Sequence, residues 1–168
     1  MKSKHKKGLE REAPYSHVIQ ALIPLIFTAV WIIDSIWLQF STFFNQYIPI
    51  YIRISLFVLF VILAVIFGVP SHKLLFHEHE PSKTLITDGI LGYVRNPMYL
   101  AILLFYTAFI CLSLSLLSAG ILIVAIIVYN WMINREEKIL ENLFGAEYIK
   151  FKEHVPKWIP KIKKYESN

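Results

Sequence analysis

MYLAILLFYTAFICLSLSLLSAGILIVAIIVYNWMI, residues 98–133, is a run of 36 residues without a single Asp, Glu, Lys or Arg. So long an uncharged stretch cannot all be the interior of a small globule, and it reads as membrane-spanning. One upright helix crosses the hydrocarbon core in about 20 residues, so the run is too long for one span and suits two short ones. Ser113, Ser115, Ser118 and Gly120 mark the turn of a tight helical hairpin between them. Outward from this run, Val18–Leu38 and Ile50–Val69 are two further apolar stretches of spanning length, with Pro24 as a kink in the first and Pro70 as the end of the second. Their connection, Gln39–Pro49, is uncharged, and its Phe43, Phe44 and Tyr47 suit a membrane interface. The expected fold is all-α, an integral membrane bundle of four transmembrane helices with a cytoplasmic C-terminal helical tail.

Composition and charge agree. Apolar residues make up 56% of the 168 and charged residues 17%, against roughly 25% charged in soluble domains. Cys111 is the only cysteine, lies inside an apolar run and forms no internal disulfide. The net charge of +5 reads as attraction to lipid headgroups and as a topology signal, and nucleic acid is not an expected partner. Of the 17 basic residues, all but Arg53 fall in three segments: the N-terminal arm, the central polar loop, and the tail after Ile133. Four spans put these three segments on one side, so the positive-inside rule places both termini and the loop in the cytoplasm of a multi-pass cell-membrane protein. The apolar stretch after the basic arm is too long for a signal-peptide core and reads as a retained span. One domain over 1–168 is expected, made of a basic arm at 1–16, four helices within 17–133 with a cytoplasmic loop at 71–96, and a tail at 134–168. Asp34 and Arg53 lie near one end of adjacent antiparallel spans with opposite charges, which predicts a structural ion pair.

Two clusters carry chemistry. The loop ends in Asp88-Gly89-Ile90-Leu91-Gly92-Tyr93-Val94-Arg95-Asn96-Pro97-Met98-Tyr99. Its glycines permit close backbone approach, Arg95 supplies a cationic fork, and Asn96 supplies a donor and an acceptor. Pro97 marks a helix start, whose free N–H groups favour an anion. The second cluster is Asn130-Trp131-Met132-Ile133-Asn134-Arg135-Glu136-Glu137-Lys138, in which Asn130, Asn134, Glu137 and Glu141 share one helix face. A polar stripe beginning at membrane depth faces a cavity or other helices rather than lipid. Beyond it Ile139, Leu140, Leu143, Phe144, Tyr148, Phe151 and Val155 recur at helical spacing, interrupted at Gly145 and ended by Pro156 and Pro160. Trp158 and Ile159 are placed to lie against a membrane surface. Taken singly, each cluster also fits a bland reading, an ordinary helix cap or a solvated turn.

In joint order, Gly92-Tyr93-Val94-Arg95-Asn96-Pro97-Met98-Tyr99, a hairpin, Arg135-Glu136-Glu137-Lys138-Ile139-Leu140, Phe144-Gly145-Ala146-Glu147-Tyr148 and Val155-Pro156-Lys157-Trp158-Ile159-Pro160 resemble the isoprenylcysteine carboxyl methyltransferase family and its phospholipid methyltransferase relatives. The resemblance covers about Gly89 to Pro160. It implies an enzyme that uses S-adenosylmethionine, bound between the hairpin and the tail, which covers it. By position, Tyr93, Arg95, Asn96, Pro97 and Tyr99 would line the cofactor from one side, Glu136 and Glu137 from the other, and Tyr148 from the tail. Arg95 and Asn96 are the catalytic candidates. The family commonly has His where this chain has Asn96, which cannot titrate.

Methyl transfer from a sulfonium is an in-line displacement in which the donor carries the activation, so the protein chiefly aligns reactants and removes water. A carboxylate acceptor needs no general base, whereas an amine or thiol must lose a proton. An apolar small molecule or lipidated acceptor reaching the site from the bilayer is the expected partner. The acceptor's identity and the oligomeric state are open at this point. His72, His77, Glu78, His79 and Glu80 offer nitrogen and oxygen ligands, but they crowd one polar loop without a cysteine and are read as solvent- or headgroup-facing, with no metal assigned. The competing classes are a membrane reductase using NADPH, which such C-terminal architectures also resemble, and a non-catalytic binding protein.

Overall fold

The computed structural model describes residues 16–76 and 85–165. The basic arm through residue 15 and the loop residues 77–84, with His77, Glu78, His79 and Glu80, lie outside the described residues. Five α-helices account for most of the rest: α1 (Ser16–Ile32), α2 (Ile50–Phe76), α3 (Pro97–Ser113), α4 (Leu116–Phe144) and α5 (Ala146–His154). No strand occurs among the described residues. Val18–Leu38, Ile50–Leu74 and Leu116–Phe144 are long and apolar enough to cross a membrane, and Pro97–Ser113 is a shorter apolar helix. Side chains such as Leu25, Val65 and Ile127 stay exposed along these helices, as lipid-facing residues do.

One helix runs further than the sequence predicts. Pro70 lies inside α2, which continues to Phe76. Proline is tolerated in spanning helices where a nearby hydroxyl engages the disturbed turn. Here Ser71 Oγ donates to Phe67 O at 2.5 Å. The helix of the last apolar run goes on past Ile133, as the shared face of Asn130, Asn134, Glu137 and Glu141 predicts. α4 continues through the charged cluster to Phe144, about 44 Å in all. Gly145, at φ +55°, then breaks the chain before α5, at the interruption expected there.

The chain forms two compact units. Among the described residues, one comprises 16–66 and 101–129. Phe27 stacks on Tyr106 with centroids 4.1 Å apart, and Trp31 Nε1 donates to Phe109 O and to Ser113 Oγ, each at 3.0 Å. Leu114, at φ +50°, turns the hairpin, and Ser115 caps α4 by accepting the Ser118 N–H at 3.0 Å. The predicted Asp34–Arg53 ion pair is not formed. After Ile32 the chain widens into a π-turn, Ile33–Leu38, which buries Asp34. Its carboxylate accepts from Ser41 N–H at 3.0 Å and from the hydroxyls of Ser41 and Ser115, each at 2.5 Å. Arg53 instead donates to Asn45 Oδ1 and to Leu112 O, a carbonyl in the last turn of α3. Hydroxyls hold the acid, while Asn45 and a helix end take Nη1 of the arginine, whose Nε stays unpartnered, so each charge is met without the other.

Among the described residues, the second unit comprises 67–76, 85–100 and 130–165. Its small core is Tyr148 and Phe151 of α5 with Val155, packed by Leu85, Leu140, Phe144 and Tyr165. After α5 an irregular strap, residues 155–165, runs back along the loop. Arg95 N–H donates to Pro156 O, Lys161 N–H to Tyr93 O and Tyr165 N–H to Gly92 O, each at 3.0 Å. A Cβ on Gly92 would stand 2.8 Å from Lys164 Cγ and 3.2 Å from Tyr165 O, so the close approach uses the missing side chain.

Candidate active site

The polar stripe predicted on α4 is real, and each part of it has a partner. Lys157 Nζ donates to Asn134 Oδ1 at 2.5 Å and to Asn130 Oδ1 at 3.3 Å. Lower on the same face, Lys152 Nζ bonds Glu141 Oε1 at 2.6 Å and stands 3.7 Å from Glu137 Oε2. The bond to Glu141 raises the Lys152 pKa above its ordinary value, with burial opposing it and the charge of Glu137 adding to it.

Among the described residues, Glu137 is the most buried acid of the unit, at 4% exposure. Arg95 faces it, with Nη2 3.1 Å from Oε1 and both side chains under a tenth exposed. The contact is an ion pair without hydrogen-bond geometry, so Glu137 Oε1 keeps a lone pair unused. Arg95 Nη1 donates to Lys152 O at 2.8 Å, which ties α5 to the loop. Tyr99 donates its hydroxyl to Glu136 Oε1 at 2.8 Å, one residue earlier on α4. Tyr148 is buried at 2% exposure. Its pKa is raised mainly by that burial, with the negative charge of Glu137 adding and Arg95 opposing.

The structure therefore brings Arg95, Tyr99, Glu136, Glu137 and Tyr148 together. Pro97 opens α3 and is fully buried, and Tyr93 joins through its carbonyl, on the strap. Asn96 precedes Pro97, and its Nδ2 is a buried donor without a protein acceptor. Arg95 Nε is a second such donor. Orphaned buried donors are costly, and their occurrence beside a charged pair marks a place that fits an anionic or carbonyl-bearing ligand. Sequence reasoning missed Lys152 and Lys157. Lys152 stands in no recognisable pattern, Lys157 lies within the quoted Val155–Pro160 motif but was given no role, and only the fold of the tail carries them to α4. Among the described residues no group of three or more His, Cys, Asp or Glu is arranged to hold a metal ion.

A helical membrane protein with an arginine, two carboxylates and unpaired buried donors gathered at the polar end of a hairpin has the makings of a membrane-embedded transferase. Comparison with known sequences gives the family. The chain belongs to the phospholipid methyltransferase family, which matches over residues 44–147 and includes the isoprenylcysteine methyltransferase-like proteins suggested by the motifs. The match takes in Arg95, Asn96, Glu136 and Glu137 and ends one residue before Tyr148. The chain is also similar to an uncharacterized protein of Haemophilus influenzae, at 38% identity over 63 residues, which is 37% of this chain and 100% of that one. No solved structure matches.

Proposed function

We propose that the protein is an S-adenosylmethionine-dependent methyltransferase, with the cofactor held between residues 93–99 and the Glu136–Glu137 turn of α4, beneath α5. The observation that carries this reading is the pair of buried, unpartnered donors, Asn96 Nδ2 and Arg95 Nε, beside the Arg95–Glu137 pair. The amino acid moiety of the cofactor carries a carboxylate to accept from such donors and an ammonium to match a buried glutamate. Bound there, S-adenosylmethionine supplies an activated methyl group. Arg95 anchors the carboxylate, Glu137 or Glu136 receives the amino group or the ribose hydroxyls, Asn96 orients the methionine part, and α5 excludes water.

Four spans with both termini cytoplasmic complete the proposal. α3 would be the shortest, about 26 Å for its 17 residues. The acceptor reaches the site from the bilayer and is apolar or membrane-associated. Asn96 cannot titrate, and Glu136 and Glu137 are engaged by Tyr99 and Arg95. An acceptor already deprotonated at neutral pH, a carboxylate as in isoprenylcysteine O-methylation, suits a site without a free base.

Calorimetric titration of the purified protein with S-adenosylmethionine and, separately, with NADPH tests the proposal. Binding of the first, weakened in Arg95→Ala and Glu137→Ala and partly restored in Arg95→Lys, is the expected result. Unchanged affinity in folded Arg95→Ala and Glu137→Ala proteins would overturn the site. Binding of NADPH alone would make the protein a reductase.

A further inference from the structure

Lys157 reaches back along α4 to Asn130 and Asn134, the last polar positions before the first charge of the helix, Arg135. Trp131, in the same turn, is half exposed and carries the Arg135 guanidinium 4.1 Å above its ring, an arrangement suited to the headgroup layer. The strap is thus held where the uncharged part of α4 gives way to the charged part. What it shows there is specific. Ile159 is 80% exposed and Ile162 fully so, while Lys161 and Lys163 are exposed beside them. Two bare isoleucines interleaved with lysines are costly toward plain water and complementary to an anionic lipid surface, where the apolar groups enter the acyl boundary and the ammonium groups meet phosphates.

We propose that the strap, residues 157–164, is a docking surface for anionic lipid headgroups. Ile159 and Ile162 insert, and Lys161 and Lys163 pair with phosphate. The strap is bonded to Gly92, Tyr93 and Arg95, so docking also braces the loop that carries Arg95. The inference does not depend on which cofactor the protein uses.

The full chain in lipid nanodiscs tests it. In a Cys111→Ala background, Ile162→Cys carries an environment-sensitive fluorophore, and Ile159→Cys serves as a second reporter. The expected result is a blue-shifted, brighter signal in discs of phosphatidylcholine with phosphatidylglycerol than in discs of phosphatidylcholine alone. Lys161→Gln with Lys163→Gln should lower the docked-to-undocked ratio about 25-fold, at about fivefold per lysine. Lys161 Nζ also donates to His154 O, so Lys163→Gln alone, which keeps that bond and the backbone bonds to the loop, should lower the ratio about fivefold by itself. Equal signals in the two kinds of disc at both reporter positions, or a lipid response that survives loss of both lysines, would overturn the proposal.

Discussion

Arg95→Ala should be among the most damaging single substitutions outside the membrane-spanning helices, and its cost follows from the packing. The side chains of Arg95 and Glu137 are 8% and 6% exposed, so removing the arginine strands a carboxylate away from water. Breaking one side of such a pair costs about 3–5 kcal/mol. Lys152 remains 3.7 Å from Glu137 Oε2 as a second cation, but it is 41% exposed and recovers about 1 kcal/mol. Loss of the bond to Lys152 O returns a similar amount to the cost. The net is about 3–5 kcal/mol, or a fall in Tm of about 6–20 °C for a chain of this size. Glu137→Gln should remove the stranded charge and recover about 1–2 kcal/mol in the Arg95→Ala background. Thermal unfolding in detergent, followed by reaction of a fluorogenic thiol reagent with Cys111, the only cysteine, gives both numbers. The reasoning is refuted if Arg95→Ala melts with the wild type, or if the cost of Glu137→Gln adds in full to that of Arg95→Ala.

Asp34→Ala should lower stability by about 2–4 kcal/mol, since Ser41 and Ser115 lose their acceptor in an apolar setting, whereas Arg53 keeps its partners and a charge swap of Asp34 with Arg53 should rescue nothing in the same melting assay. Lys152 has a folded pKa above its ordinary 10.5, so its contribution is complete below pH 10.5 and is lost as pH rises through the folded value. The Tm difference between wild type and Lys152→Met should therefore be constant from neutral to mildly alkaline pH and shrink above 10.5. Truncation after Asn142 removes Tyr148, Phe151 and Val155 and should abolish methyl transfer while leaving the protein in membrane fractions. A cysteine at Ser3 or Ser167, in a Cys111→Ala background, should resist impermeant reagent in intact cells and react after lysis.

The helices were legible because membrane burial writes a one-dimensional signal, a long absence of charge, that needs no knowledge of tertiary contacts. Their ends were less so. Pro70 reads as a stop by backbone rules for water, but in a spanning helix with Ser71 beside it the turn is maintained. The charges after Ile133 end the hydropathy but not the helix, as the shared face of Asn130, Asn134, Glu137 and Glu141 indicated, and Glu, Lys, Leu and Asn continue it for about three more turns. Of the site, Arg95 and the carboxylates were visible as polar groups clustered beside spans. The pairing of Arg95 with Glu137 and the bond between Tyr99 and Glu136 were not, because they depend on how far each helix reaches past the turn. For Asp34 and Arg53, opposite sign and similar depth suggested a pair. The sequence did not reveal that Ser41 and Ser115 would reach the acid first.

The partners of Asp34 also fix an order of events during biosynthesis. Ser41 follows it by 7 residues and Ser115 by 81. A ribosome adding about 5–20 residues per second needs several seconds to cover the difference. Throughout that interval Ser41, in the loop just behind, is the one of these two partners already made. Ser41 therefore serves as the early escort of a charge whose permanent neighbour has not yet been made. Pulse-labelled insertion should be slowed by Ser41→Ala and indifferent to Ser115→Ala, although both substitutions weaken the finished protein.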